Sequence, residues 1–552
     1  MKRLPTALSV LLAATVMPML TVSGADAARG AAPVANHDSV TITAGTTASF
    51  RVKANDRAFR KRLAKVRVIR SATATLTLVR AKVPNGNRLR LSVPETTEPG
   101  TYTVRYGLVD VRGRWDTARV TVKVKPPKGG GTTTPEVPPD PETPTDPVEP
   151  PPTSTLPLLD VVAAQDLANR VGIRDFPHYD TSTYGKRDAI EAALGDLGVE
   201  WVSVKYVPAK DEIADLARLH AMGIKTVLTV GETKGGYLPE TTAFWNGLTE
   251  NLVRWGDKVP MVVGWNEPNH VRGGVDPLPA DWPLRTVRDN LVPLKKAVAA
   301  ANARMSHRVK VGLPALWSGD TEQLRRDAEK LAAVRYTDGT GTVWSAHNTI
   351  DTVTYHLYPR GGDPTWELDQ TLDAMSDTFP NAGATQWCTE AGYFTAANYT
   401  GGAKAVTEAQ QAAYTPKLGL EYFLRGSYVS YFETTDSPDP SDSDREASLG
   451  LIDTPSLDPS TWQRKPAFGA LAGILNRKGG TATQVRAEVV APDGVQRLAT
   501  VDGTGSVVLY LWRRVTVDAN GYAAPLDVKV TTPSGTRTVK VGGSVVAVSL
   551  NG

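Results

Sequence analysis

The 552-residue chain contains a single cysteine, Cys388. No internal disulfide can form, and cysteine-cluster zinc sites and paired-cysteine redox motifs are excluded. Excess charge of either sign is also missing: 62 Lys+Arg stand against 58 Asp+Glu, a net charge of +4. That balance gives no strong pull toward nucleic acid or an anionic membrane. After the first twenty or so residues, no segment is long and apolar enough to span a bilayer. The phosphate-binding glycine loop, the zinc-protease helix motif and the serine nucleophile elbow are absent too. The expectation is therefore a protein with no cofactor, no metal, no nucleic-acid partner and no membrane span.

What is present is globular. A hydrophobic content of 41% with 22% charged residues supplies a large core, and the length suggests several domains. Lys2 and Arg3 precede a mostly apolar stretch from Ala7 to Leu20, followed by Ala25-Asp26-Ala27. This three-part pattern reads as a secretory signal over residues 1–27, so the expected location is extracellular, with cell-surface association open. An exported chain without disulfides must be held by core burial, which favours large domains. Residues 126–157 read PPKGGGTTTPEVPPDPETPTDPVEPPPTSTLP, a proline-rich spacer. Before it, residues 35–125 alternate at period two in runs such as Val40-Thr41-Ile42-Thr43 and Leu89-Arg90-Leu91-Ser92-Val93, with turns at Pro84-Asn85-Gly86-Asn87 and Pro99-Gly100. That is the pattern of a β-sandwich. The run from Gly100 to Val124 and Ala54-Asn55-Asp56 resemble bacterial immunoglobulin-like or cadherin-like repeats. Arg51, Lys53, Arg57, Arg60, Lys61, Arg62, Lys65, Arg67 and Arg70 form a basic stripe, read as a solvated sheet face or as a contact for an anionic cell-wall polymer.

Residues 158–476 alternate strand and helix. A helix carrying Ile190, Leu194 and Leu197 ends at Gly198, and a second carrying Ile213, Leu216, Leu219 and Met222 ends at Gly223. Glycine at that position supplies the left-handed cap, and repetition of the unit predicts a parallel sheet. Strand starts near Val171, Trp201, Thr226, Met261, Val309, Ile350, Thr385 and Tyr428 make eight. The fold class is thus α/β, a (β/α)8 TIM barrel flanked by N- and C-terminal β-sandwiches, the latter over residues 480–552.

Active sites of such barrels lie at the C-terminal ends of the strands. Strand four ends in Trp265-Asn266-Glu267-Pro268, strand six in Tyr355-His356-Leu357-Tyr358, and strand seven in Trp387-Cys388-Thr389-Glu390-Ala391-Gly392. Glycosidic cleavage with retention needs two carboxyls about 5–5.5 Å apart, one protonated and one ionised. Glutamates ending strands four and seven, Glu267 and Glu390, satisfy that topology. Cys388, two residues before Glu390, is expected to point the same way as it, into the barrel. The acidic run from Asp436 to Asp444 lacks the glycine and final glutamate of a calcium loop and reads as solvated.

Asn266-Glu267-Pro268 resembles the strand-four motif of clan A glycoside hydrolases, and Thr389-Glu390-Ala391-Gly392 is similar to that clan's strand-seven motif. The resemblance implies Glu267 as acid/base and Glu390 as nucleophile, with Asn266 on the sugar 2-hydroxyl. It implies His356 with Tyr355 or Tyr358 beside Glu390, and Trp265, Trp317 and Trp387 as candidate sugar platforms. Two departures stand out: strand eight ends in Tyr431-Phe432-Glu433 where the clan commonly has tryptophan, and strand two carries Lys205 where many members place an arginine near the nucleophile, a place that Arg174 on strand one could fill. The implied function is a secreted retaining hydrolase of O-glycosidic bonds, with an oligo- or polysaccharide as partner. A transglycosylase, or a non-catalytic glycan-binding or surface scaffold on the same barrel, remains open.

Overall fold

The computed structural model describes residues 38–44, 46–50, 63–69, 80–82, 89–93, 100–110, 115–126, 156–231, 239–270, 278–383, 385–438 and 443–551. The secretory-signal pattern, nearly all of the proline-rich spacer and the side chains of the basic stripe lie outside them. The chain divides into two compact units, Met1–Glu142 and Thr143–Gly552.

In the first unit a four-stranded sheet has the order Asp38–Thr43, Trp115–Lys125, Gly100–Asp110 and Leu63–Ile69. A second sheet joins Thr47–Phe50, Leu89–Ser92 and Arg80–Lys82. The first strand runs parallel to the last, Asp38 opposite Val120 through Thr43 opposite Lys125. Period-two alternation decides which side faces in: Val122 and Val124 are buried while Lys123 and Lys125 are exposed.

The second unit holds an eight-stranded parallel sheet: Val171–Arg174, Trp201–Tyr206, Lys225–Val230, Met261–Val263, Lys310–Gly312, Val353–His356, Gln386–Ala391 and Tyr428–Tyr431. These starts fall within a few residues of those expected from the apolar runs. Strand one pairs with both strand two and strand eight, and bridges Gly312–Thr352 and Leu316–Tyr355 join strands five and six. The sheet therefore closes, and the fold is a (β/α)8 barrel. The helix Arg187–Leu197 ends at Gly198 with φ 80°, and the helix Lys210–Ala221 is followed by Gly223 at φ 86°. Those left-handed positions turn the chain back into the next strand at little cost only for glycine.

Inside the barrel, Trp201, Val227, Met261, Val263 and Trp387 form one cluster. Trp387 stacks on Tyr428 at 3.7 Å and meets Trp201 edge-on at 5.1 Å. Trp201 and Tyr428 open their strands, so these rings plug the N-terminal end of the barrel. Room for the plug depends on Gly172, where a Cβ would lie 2.5 Å from the Trp201 ring.

Two strands of the C-terminal region pair with a segment assigned above to the barrel domain. Leu158–Ala163 lies between Thr483–Arg486 and Val495–Val501 in a five-stranded sheet. This sheet packs with a three-stranded one to form the C-terminal sandwich, whose core includes Val161, Leu509, Leu511, Val528 and Val530. Glu421, buried in the barrel helix Glu408–Leu424, fastens the sandwich by accepting from Trp512 Nε1 at 2.7 Å and from Arg514 Nε at 2.9 Å.

His220 ends a barrel helix against Trp255 and shares a 3.0 Å hydrogen bond with Thr226 Oγ1. Burial, aided by Lys258, pushes its imidazole down to about 4. The folded state thus binds fewer protons than the unfolded state between pH 6.5 and 4. Stability from a neutral His220 is complete above about 6.5 and is lost as pH falls through about 4. His220→Gln should match the parent protein at pH 7.5 in urea unfolding. At pH 4 it should exceed the parent by roughly 2–3 kcal/mol.

Candidate active site

Two glutamates and a histidine from three strands meet at the C-terminal mouth of the barrel. His356 Nδ1 lies 2.6 Å from Glu267 Oε1 and 3.3 Å from Glu390 Oε2. One atom from each of the three falls within 4.8 Å of the others. The Tyr358 hydroxyl donates to Glu390 Oε2 at 3.1 Å. Burial and the Glu390 charge push that phenol well above its ordinary range, so it stays a donor at all working pH values.

Glu390 reaches the mouth because strand seven is irregular. Tyr355 pairs with Cys388, yet the next residue, His356, pairs with Glu390. On the other side three steps from Cys388 to Ala391 match two steps from Val429 to Tyr431. One extra residue, at Thr389, is inserted as a β-bulge, and the inward–outward alternation resets after it. The expectation that Cys388 points with Glu390 is corrected here: Cys388 faces outward into the strand–helix core, and burial lifts its thiol to about 12. Tyr355, fully buried in that same outward layer, does not line the site either.

Strand four presents Glu267 through a backbone held from several directions. Glu267 adopts φ 46°, a left-handed conformation that a glutamate enters only when its surroundings enforce it. Its N–H donates to Ala315 O at 2.8 Å, and its carbonyl accepts from His270 N at 3.0 Å. Asn269 accepts from Trp317 N at 2.8 Å and donates to Asp327 Oδ2 at 3.0 Å, tying the ends of strands four and five together. Asn290 takes the Trp265 N–H at 2.9 Å and donates to Val230 O at 3.3 Å. Asn290 lies in a π-helical turn, Thr286–Leu291, and approaches so closely that a Cβ on Gly264 would sit 2.5 Å from its Oδ1.

Beside the glutamates opens a cavity of about 350 Å³, within the size range of small-ligand sites. Asn266, Glu390, Arg174 and Lys205 line it, together with Phe176, His178, Tyr179, Tyr184, Phe432 and Glu433. Glu267, 1% exposed, is turned onto His356 instead of lining the wall. Of the three expected platforms, Trp317 is half-buried and stacks on His270 at 4.3 Å. The other two are corrected. Trp265 faces outward into the strand–helix core, and Trp387 belongs to the plug at the opposite end of the barrel.

Sequence reasoning missed Glu433, Tyr184 and the Phe176–Tyr179 segment. Tyr184 donates to Glu433 Oε2 at 2.5 Å, and burial raises the Glu433 carboxyl well above its ordinary range. The signal for all of them was position, immediately after strands one and eight. Asp436 is also corrected: it is buried and ion-paired with Lys465 at 2.6 Å, so the acidic run is not wholly solvated. Glu267, His356 and Glu390 are moreover a donor set from which a divalent cation can be held.

Residues 30–123 match a family described as Bacterial Ig domain. No curated protein matches the sequence. Among solved structures, an endo-β-1,6-glucanase is 13% identical, covering 73% of this chain and 94% of its own with a TM-score of 0.42. A β-glucosidase double mutant from Trichoderma harzianum is 11% identical, covering 57% and 96% at 0.39. A xyloglucanase from Bacteroides ovatus is 11% identical, covering 79% and 98% at 0.35.

Asn290→Ala leaves the buried Trp265 N–H and Val230 carbonyl without their partner. Urea unfolding should show a loss of about 1–3 kcal/mol, where an exposed asparagine such as Asn520 should cost less than about 0.5 kcal/mol.

Proposed function

We propose that the protein is a secreted retaining glycoside hydrolase of the clan A type, acting on oligo- or polysaccharides. The observation that carries this is the meeting of Glu267 and Glu390, from strands four and seven, across the barrel mouth, one carboxylate oxygen of each lying within 4.8 Å of the other. Retaining pairs lie about 5–5.5 Å apart, whereas inverting pairs stand about 6.5–9.5 Å apart to admit a water. Secretion rests on the N-terminal pattern of residues 1–27 and agrees with the immunoglobulin-like match.

In this reading Glu390 attacks the anomeric carbon from the cavity wall, with Tyr358 holding one of its oxygens. Glu267 gives its proton to the leaving oxygen and later takes one from water, regenerating the enzyme with retained configuration. His356 holds Glu267 in the resting state, and substrate entry turns that carboxyl toward the leaving group. Catalytic hydrogen bonds often align only once substrate is bound. Asn266 supplies the donor for the sugar 2-hydroxyl, a contact that strengthens as positive charge develops at the ring.

A second reading draws on the same three donors. Held around a divalent cation, Glu267, His356 and Glu390 would make a metal-dependent site. Activity that survives exhaustive chelation, with no bound metal by elemental analysis, removes that reading.

Glu390→Gln should abolish turnover of aryl β-glycosides. Glu267→Gln should retain it only for substrates with good leaving groups. Tyr358→Phe should lower turnover roughly 10–100-fold, the loss of one hydrogen bond to a charged group. Proton NMR of the first-formed product should show the starting anomeric configuration. Inversion, or full activity of Glu390→Gln, would overturn the proposal, and transfer to an added acceptor sugar in preference to water would mark a transglycosylase.

A further inference from the structure

Arg174 ends strand one with its side chain directed into the barrel mouth, and it is 5% exposed. Its hydrogen bonding is nearly empty. Nη1 lies 3.4 Å from Thr229 Oγ1, and the buried Nε–H has no acceptor. The guanidinium sits 5.0 Å from the Phe176 ring, and among the described residues it makes no ion pair. A buried, always-charged group without a counter-ion is costly, and a cation–π contact offsets only part of that cost. Lys205, one strand over, lines the same cavity and adds a second positive charge.

Among the described residues, the acidic groups nearby form no ion pair with Arg174. Glu433 accepts from Tyr184 at 2.5 Å, and burial raises its carboxyl well above the ordinary range, which disfavours its charged form. Asp444 and Glu446 are exposed on the loop beyond strand eight, where water screens them. Glu390 lines the cavity as well, but it forms no ion pair with Arg174. The cavity wall thus carries a largely desolvated guanidinium with no carboxylate partner among the described residues.

We infer that the site selects sugars bearing a carboxylate, that is, uronic acid units, with Arg174 as the specificity-determining residue and Lys205 as its support. A guanidinium edge matches a carboxylate in two parallel hydrogen bonds. This inference rests on the glycosidase reading for the location of the sugar, and its test is independent of turnover.

The test is calorimetric binding to full-length Glu390→Gln, using uronic-acid-containing oligosaccharides and the same oligosaccharides after reduction of each carboxyl to a primary alcohol. The uronate forms should bind at least about tenfold more tightly. Adding Arg174→Gln should remove that preference while changing affinity for the reduced forms less than about threefold. Arg174→Lys, which keeps the charge and loses the fork, should fall between. The ligand comparison on the Arg174-containing protein holds even where a substitution at this buried position impairs folding. Equal binding of the two ligand forms, no binding of either, or an unchanged preference in Arg174→Gln overturns the inference. Turnover of neutral aryl glycosides without a uronate preference leaves the glycosidase reading standing and this one fallen. Uronate-selective binding by a protein with no turnover does the reverse.

Discussion

Three steps along strand seven, from Cys388 to Ala391, advance alongside only two along strand eight, from Val429 to Tyr431. A strand whose side chains alternate strictly puts Trp387, Thr389 and Ala391 on one face and Cys388 and Glu390 on the other. The lower half of strand seven obeys that rule with Trp387 in the plug and Cys388 in the helical layer. Without the extra residue at Thr389, Glu390 would follow Cys388 outward into an apolar layer beside Tyr355 and Tyr422. An ionisable carboxyl there would be strongly disfavoured. With the bulge, Glu390 and Ala391 exchange faces, and the carboxyl meets Tyr358, His356 and the cavity. One inserted residue therefore lets a single strand seal the barrel at its base and arm it at its mouth.

The opposing carboxyl is placed by backbone restraint instead. Strand four is only three residues long, so Glu267 lies beyond the ladder and takes its position from Ala315, Asn269 and Asn290. Its left-handed backbone stores strain of about 1–3 kcal/mol, which the surrounding hydrogen bonds overcome. Gly264 contributes by what it omits, since any side chain there would collide with Asn290 and Pro314. Positioning by a bulge on one strand and by a strained turn on another differ in origin, yet both set a side chain independently of strand periodicity.

That independence explains what was legible in the sequence. Strand order, the glycine caps at Gly198 and Gly223 and the paired sandwiches follow from apolar periodicity and chain-reversal chemistry, both local properties. Glu267 and Glu390 were singled out because their strands end where barrels keep chemistry, and the structure brings the two together. The orientations of Cys388, Tyr355, Trp265 and Trp387 depended on register and on depth along the barrel, and a tryptophan reads the same at either end. Leu158–Ala163 was misassigned for a related reason. Its apolar alternation fits any half-buried strand, and its partners, Thr483–Arg486 and Val495–Val501, lie more than three hundred residues away in sequence. Glu433 and Tyr184 were hidden because their significance is a contact between residues 249 apart.

The placement of Leu158–Ala163 also bears on how a chain with a single buried cysteine is held together. Entering the barrel, the chain first contributes a strand to the sandwich, and leaving the barrel it completes that sandwich. The two flanks of the barrel are therefore secured in one sheet, as a covalent cross-link between them would secure them, but through a ladder and a shared apolar core. Glu421 adds a point of attachment on the barrel wall, where Arg425 from its own helix and Arg514 and Trp512 from the sandwich share one buried carboxylate. A charge shared in this way is satisfied only when both parts are folded and docked. Removing either part would leave Glu421 buried beside an uncovered apolar face or exposed without its partners. The barrel and its C-terminal sandwich accordingly belong to one compact unit, Thr143–Gly552, joined by a shared sheet and a shared buried carboxylate.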